Sequence, residues 1–299
     1  MVYRARERSI EGSAVSALLP VVAVAPMWLL ALFVIWAPIH LLWHVRFLWF
    51  AAGHLVFVLV MFWRPLQSIV VMRLLGARAA SAEQAARLEP AWRSVAQQVG
   101  LSSKQFRLAV LESEELNAFA CGGSLLVVTS YAIEVLPRDE MTGVLAHELA
   151  HHLGLHTVAL TVRQWMSLPI FLLAQIGFFL QNVATAATSS FARNSALLRA
   201  LGRLIGAILQ SFSWVFLSGL LVSNAVANLV GQRAEFDADR RAVEMGFGRE
   251  LSVALRRVSA ETTSAAAGSH ISWLATTHPS ARVRMRRIDA MRRSRSGLA

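Results

Sequence analysis

Four long stretches without a charged side chain constrain the fold of this 299-residue chain more than any other feature. No Asp, Glu, Lys or Arg occurs in residues 12–45, 47–63, 164–192 or 204–232. A helix needs about 20 mostly apolar residues to cross a bilayer, with about 17 as the short limit. The stretches therefore predict four membrane helices, arranged as two hairpins. Their expected positions are about 14–36, 45–63, 158–181 and 204–230.

The composition agrees with a membrane protein. Hydrophobic residues make up 56% of the chain and charged residues 16%, which excludes a disordered chain and argues against an ordinary soluble enzyme. The net charge is +11, and the basic residues cluster at the edges of apolar runs. That distribution favours a lipid bilayer as partner over a nucleic acid. The single cysteine, Cys121, excludes an internal disulfide and a cysteine-based zinc cage.

Arginines near the predicted helix ends indicate the orientation in the membrane. Six of them flank the outer sides of the first hairpin: Arg4, Arg6, Arg8, Arg64, Arg73 and Arg78. Positive side chains stay in the cytoplasm, so both flanks are predicted to be cytoplasmic. The loop of the second hairpin also carries arginines: Arg193, Arg199 and Arg203. This leaves two alternatives for the second hairpin, a full span or a hairpin partly embedded in protein.

The segments between the apolar stretches contain signals for a small mixed fold. A helix is expected over 80–99, ended by Gly100, and two strands are expected at Phe106–Leu111 and Leu125–Thr129. Asp139 and Glu140 suit the first turn of a further helix. The predicted fold class is therefore mainly α, of the α+β type, with multi-pass membrane helices and a small β-sheet.

That further helix carries the motif with chemical content, His147-Glu148-Leu149-Ala150-His151, which has the pattern H-E-x-x-H. Residues four apart share one face of a helix, so His147 and His151 can hold one zinc ion. Glu148 lies beside them and can reach a water molecule at the metal. The alternative is a membrane-surface helix that happens to carry histidines.

A catalytic zinc site needs a third protein ligand, and the chain offers one downstream. Glu235 is the first carboxylate after Glu148, and Asp239 follows four residues later on a predicted helix. Glu235 is the expected ligand, and Asp239 is expected to orient a ligating imidazole. The alternative is an acidic patch on a solvated helix, paired with neighbouring arginines.

With these motifs the chain resembles the HtpX and CAAX-prenyl-protease family of integral-membrane zinc metallopeptidases, and its HtpX branch in particular. The resemblance rests on His147-Glu148-x-x-His151, on Glu235-x-x-x-Asp239 and on the hydrophobic hairpins before and between them. Three further features occur along the chain in the order typical of that family: Asn117-Ala118-Phe119-Ala120, the strand at Leu125–Thr129, and Thr277-His278-Pro279 with Arg284.

The resemblance implies a gluzincin-type catalytic domain that faces the cytoplasm of a bacterium and degrades damaged or misfolded membrane proteins. One Zn²⁺ per chain would be held by His147, His151 and Glu235, with Glu148 as the general base. Asn117 and His278 would lie near the scissile carbonyl, although His278 could equally cap a helix before Pro279. The substrate would pair as an extra strand with an edge strand formed by Leu125, Leu126, Val127, Val128 and Thr129.

The expected organisation then has four parts. Residues 1–75 form an N-terminal transmembrane hairpin, and 76–157 form the first part of the catalytic domain with the H-E-x-x-H helix. Residues 158–230 form the second hydrophobic hairpin, and 231–299 complete the catalytic domain with the third ligand. Three other functions stay open at this point: an intramembrane protease, a peptidase dedicated to one regulatory substrate, and a non-catalytic membrane scaffold with a zinc site. Oligomeric state is not predicted.

Overall fold

The computed structural model describes residues 16–154, 156–191, 195–265 and 279–295. The chain divides into two compact units. One, here called the mixed unit, combines Val60–Thr161 with the chain from Asn228 onward and the residues up to Leu18. The other, the apolar unit, combines Leu19–Leu59 with Val162–Ala227.

The apolar unit consists of helices. It contains α1 (Leu19–Trp43), α2 (Phe47–Val60), most of α7 (His156–Phe191) and most of α8 (Ala196–Glu244). Their buried core is mostly apolar and includes Val24, Trp28, Leu32, Ile170 and Phe216. Arg163 of α7 faces protein, because its guanidinium donates to the Asn224 side chain of α8 at 2.6 Å.

Three helices of the described chain, α1, α7 and α8, are long and apolar enough to cross a membrane. The second predicted span differs from expectation. Instead of one helix over 45–63, α2 ends at Val60 after 14 residues, and a new helix, α3, begins at Arg64. Pro65 lies in the first turn of α3, where its missing N–H costs nothing and its ring disfavours a continuous helix. A fourth span arises only if α2 and α3 (Arg64–Leu75) are one broken span.

The mixed unit follows the order expected for its first half. After α3 come β1 (Ala77–Arg78), α4 (Ala82–Gln98), β2 (Arg107–Leu111), β3 (Ala118–Cys121), β4 (Leu125–Thr129), α5 (Ser130–Val135) and α6 (Arg138–Leu153). The C-terminal part adds the end of α8, α9 (Gly248–Ala265) and α10 (Ala281–Arg295). Ser81 and Gln84 form a capping box at α4, which explains why that helix begins there.

The sheet has the order β1-β2-β4-β3, and this order corrects one prediction. Leu125–Thr129 is not an edge strand, since β4 pairs in parallel with β2 on one side and antiparallel with β3 on the other. All five of its side chains are buried. The edge next to β4 is β3, whose four residues are only half-buried. The more apolar strand lies inside the sheet because both of its faces are covered.

Helix α6, which carries the H-E-x-x-H motif, is held tightly against α9. Glu140 accepts two hydrogen bonds from Arg257 of α9, at 2.7 and 2.8 Å. Gly143 brings the two backbones into close approach: a Cβ added there would press on the backbone of Glu250 and Leu251. The glycine therefore sets how closely α9 can support the helix that carries the site.

We expect Gly143→Ala to destabilise the protein by about 1–3 kcal/mol, because the added methyl group overpacks a backbone contact that cannot rotate away. The measurement is thermal unfolding of the purified protein in detergent. Gly231→Ala is the matched control: it lies in α8 of the same unit, and nothing lies within 4 Å of an added Cβ. That control should be neutral or slightly stabilising, since alanine favours a helix over glycine. Equal melting temperatures for the two variants would contradict the tight crossing.

Candidate metal centre

The three predicted ligands come together where α6 and α8 meet. His147 and His151 project from one face of α6, one turn apart, and Glu235 reaches them from α8. One donor atom from each lies within 4.8 Å of the others. His147 and Glu235 are buried, so the three donor atoms converge in a site largely removed from bulk water.

The distances between these donor atoms suit a tetrahedral metal ion. The two Nε2 atoms of His147 and His151 lie 3.2 Å apart. Carboxylate oxygens of Glu235 lie 3.4 Å from His147 Nε2 and 3.2 Å from His151 Nε2. Bonds of about 2.0–2.1 Å from a tetrahedral ion would separate neighbouring ligands by roughly 3.3 Å. The residues present therefore fit a single zinc ion with one position left open.

Asp239 and Arg284 form a layer behind the ligands. Asp239 lies one turn after Glu235 on α8, and its Oδ1 is 3.0 Å from His147 Nδ1. Arg284 of α10 donates two hydrogen bonds to Asp239, at 2.7 and 2.9 Å, and lies 3.0 Å from Glu235 Oε2. A proton on His147 Nδ1 held by Asp239 leaves Nε2 directed at the metal position. Asp239 thus has the contact expected of an orienting residue.

The contacts in this layer favour the charged forms of both Asp239 and His147. Burial alone would raise the pKa of Asp239, but the hydrogen bond from His147 and the charge of Arg284 outweigh it and lower that pKa. Burial and Arg284 lower the pKa of His147, yet its hydrogen bonds to Asp239 and Glu235 dominate and raise it to about 9. A metal ion at Nε2 must displace a proton from this imidazole.

Glu148 lies beside the ligands and is anchored by the edge strand. It is buried, and its Oε2 accepts a hydrogen bond from the backbone N–H of Ala120 in β3 at 2.9 Å. Burial raises the pKa of Glu148, against the neighbouring charges of His147 and His151. Desolvation of a carboxylate makes it a stronger base, which is what a general base near neutral pH requires.

His152, the third histidine of the motif region, has a structural contact. Its Nε2 lies 3.1 Å from the carbonyl oxygen of Leu125 in β4, and its ring packs on Phe106 at 5.1 Å between centroids. Burial lowers its pKa to about 4, so the ring is neutral and donates its N–H to that carbonyl. His152 therefore ties α6 to the sheet rather than to the three predicted ligands.

The structure brings together His147, Glu148, His151, Glu235 and Asp239. Asn117 precedes β3, and its main chain is bonded to Thr129 through the Thr129 N–H at 3.0 Å and the Thr129 hydroxyl at 2.9 Å. His278 lies outside the described residues. The five residues of β4 lie inside the sheet, and β3 forms the outer edge next to them.

Sequence reasoning missed two contributors to the site. Arg284 was noted only by its place after His278, and its role could not be read because Arg282, Arg286 and Arg287 surround it. The backbone N–H of Ala120 leaves no side-chain signal at all. Its only trace in the sequence is the short Ala118–Cys121 run before Gly122-Gly123, which is too short and too small to stand out as a strand.

An H-E-x-x-H helix, a glutamate that approaches it from a distant helix, and helices long enough to span a membrane are together the features of a membrane metallopeptidase fold. Residues 82–292 match peptidase family M48, so the chain belongs to that family.

Within the family the chain is similar to proteins named "Protease HtpX homolog". One from Gemmatimonas aurantiaca is 33% identical over 125 residues, which cover 40% of this chain and 43% of that protein. Another from Desulfotalea psychrophila is 30% identical over 155 residues, covering 50% and 51%. The chain thus spans about half the length of these curated relatives, and it is an HtpX-like member of the family.

Proposed function

We propose that this protein is a zinc-dependent endopeptidase anchored in the cytoplasmic membrane of a bacterium, with the mixed unit on the cytoplasmic side. One observation carries the proposal: His147, His151 and Glu235 converge at tetrahedral spacing, with Glu148 held beside them by the N–H of Ala120. A purely structural metal site has no need of a buried carboxylate next to its ligands. Two imidazoles and a carboxylate are a ligand set that suits one Zn²⁺ per chain.

The substrate is proposed to bind along β3 rather than β4. The Asn117 carbonyl accepts from Thr129 N, so residues 117, 119 and 121 turn their backbone groups toward β4. Ala118 and Ala120 therefore turn theirs outward, as the bond from Ala120 to Glu148 shows. Among the described residues no strand pairs with this outer edge. An extended substrate can add there as a further strand, through the outward backbone groups that do not hold Glu148. Such backbone bonds require little sequence preference.

The proposed mechanism assigns each step of proton movement to a residue of the chain. When bound, zinc supplies Lewis-acid polarisation of the scissile carbonyl and lowers the pKa of a water molecule. Glu148 takes the proton of the attacking water at its carboxylate and delivers it to the leaving amine nitrogen. Asp239 and Arg284 hold the His147 ring in its orientation. Asn117 and His278 stay the proposed donors to the oxyanion.

The substrate class follows from the surroundings of the site. The chain joins a peptidase unit to apolar helices, so protein segments at or near the bilayer are the substrates within reach. Backbone recognition by β3 favours chains that have lost their structure, because a folded chain does not offer an extended segment. Damaged or misfolded membrane proteins meet both requirements.

Metal removal tests this function directly. We expect detergent-purified protein to cleave an unfolded substrate such as β-casein, to lose that activity with a chelator, and to regain it with one equivalent of Zn²⁺ per chain. The reason is that His147, His151 and Glu235 together could hold the ion whose Lewis acidity the proposed reaction needs. Cleavage that survives complete metal removal would refute the proposal. A protein inert at full zinc occupancy would instead favour a scaffold or a peptidase with one dedicated substrate.

A further inference from the structure

The turn that follows β3 is held from two sides by residues outside the sheet. Gly122 is buried and has a φ of +61°, a conformation that favours glycine. Its backbone N–H donates to the Thr161 hydroxyl of α7 at 3.2 Å. On another side the Gln67 side chain lies close to Gly122, because a Cβ added at Gly122 would be 2.7 Å from Gln67 Nε2. We call Gln67 and Thr161 the turn clamp.

The Thr161 hydroxyl has a fixed orientation. Its one hydrogen is donated to the Thr157 carbonyl, one turn earlier in α7, at 2.7 Å. A hydroxyl has a single donor and two lone pairs, so the oxygen offers a lone pair to the Gly122 N–H. This acceptor is therefore as rigid as the helix that carries it.

Gln67 is a buried polar side chain with an unusual contact pattern. It is 3% exposed, and its Oε1 accepts from the Ser124 hydroxyl at 3.2 Å. Its Nε2 has no hydrogen-bond partner among the described residues. A buried donor without a partner costs free energy and is kept where the position matters. Gln67 also begins the π-helical turn Gln67–Val71 within α3, a distortion that recurs at functional sites.

The clamp acts on the same strand edge that holds the catalytic base. Outward backbone groups alternate along β3, so Ala120 and Gly122 present successive N–H donors on one edge. The first donates to Glu148 and the second to Thr161. A shift of the turn at Gly122 therefore moves the donor that holds Glu148.

Both residues of the turn clamp lie close in sequence to the points where the chain enters or leaves the apolar unit. Thr161 is the last residue of its segment of the mixed unit, and Gln67 follows the start of that unit at Val60 by seven residues. Each of these segments therefore reaches the turn through one side chain.

We propose that Gln67 and Thr161 are positioning residues that fix the outer edge of β3 and, through Ala120, the placement of Glu148. This inference rests on the proposed peptidase function. It makes the two segments that lead into the membrane helices part of the control of turnover, because the base is correctly placed only while both hold the turn.

The test compares three threonine variants. Thr161→Val keeps the shape but removes the acceptor, and Thr161→Ser keeps the acceptor. Thr185→Val is the matched control, since Thr185 makes the same bond to the carbonyl four residues earlier in α7, at 2.9 Å, without contacting the turn. We expect Thr161→Val to lower kcat by roughly 10-fold with KM and zinc content unchanged, as for residues that orient a site from behind. The other two should match the wild type.

Hydrogen–deuterium exchange of peptides covering 118–122 gives a readout that does not depend on turnover. In Thr161→Val the amides of both Gly122 and Ala120 should exchange faster, because the whole edge is released. Faster exchange at Gly122 alone, with kcat unchanged, would overturn the proposal. If Thr161→Val does not fold, Gln67→Met tests the clamp from its other side with the same expected loss. A wild type without peptidase activity would refute the proposed function, while the exchange result would still decide whether the clamp orders β3.

Discussion

Replacing Glu148 with glutamine is expected to lower the turnover of an unfolded protein substrate by roughly 10³-fold, the scale of lost general acid–base catalysis. Glutamine keeps an oxygen that can accept from Ala120 N–H, so the variant preserves the contact with β3. It cannot take a proton from the attacking water. Zinc content should stay at one ion per chain, because Glu148 is not among the three ligands.

The matched control is Glu134→Gln, which makes the same chemical change at an exposed position on α5. Both variants are compared with the wild type for cleavage rate, zinc content and melting temperature. Loss of activity in Glu148→Gln with zinc and stability intact identifies the base. Substantial turnover by a fully folded Glu148→Gln protein would remove Glu148 from the mechanism.

A series on α8 should rank the carboxylates by their distance from the metal. Glu235→Gln removes a ligand charge and is expected to weaken zinc binding most. Asp239→Asn keeps the shape of the residue behind His147 and should cost about 10–100-fold in affinity, the usual effect of a partner that orients a ligand. Asp237→Asn is the matched control on the same helix, since Asp237 is partly exposed and pairs with Arg240 at 3.6 Å.

Competition with a chromophoric chelator at fixed free zinc measures all three affinities. The expected order of loss is Glu235→Gln, then Asp239→Asn, with Asp237→Asn near the wild type. A Glu235→Gln protein that holds zinc as tightly as the wild type would exclude Glu235 as a ligand. If Asp237→Asn were the weakest binder, the acidic patch rather than the convergent site would hold the ion.

The contact between Arg284 and two carboxylates explains why this site tolerates so much buried charge. Glu235 and Asp239 are both buried, and the guanidinium of Arg284 contacts both of them. Burial would lower the pKa of Arg284, but the two carboxylates outweigh it and raise that pKa, so the guanidinium stays charged. A buried charge is stable only when paired, and removal of this partner would leave the two carboxylates with less positive charge beside them.

Local sequence signals predicted the parts of the site that lie on one helix. The four-residue spacing of His147 and His151 is a property of the α-helix itself, so their common face needed no tertiary information. The same holds for Glu235 and Asp239 on α8. The apolar stretches likewise predicted the three helices that are long and apolar enough to cross a membrane, since hydropathy and length are readable without a fold.

Strand order could not be read in the same way. Leu125–Thr129 is strongly apolar because both its faces are buried, and this made it the most visible strand in the sequence. An edge strand is only half-covered, and Ala118–Cys121 is correspondingly short and built mostly of small residues. The apolar pattern therefore indicated the interior strand β4 as the edge strand. The strand that is at the edge and contacts Glu148 is its neighbour β3.

The sequence by itself determined which residues can ligate the metal, because a fixed helical repeat converts spacing directly into a shared face. Tertiary structure alone decided which strand edge faces the base, which of many arginines joins the carboxylates, and which residues clamp the turn. Those outcomes depend on backbone N–H groups and on contacts between residues up to about 140 positions apart, such as Arg284 and His147 with a separation of 137. Neither leaves a periodic signal in the chain.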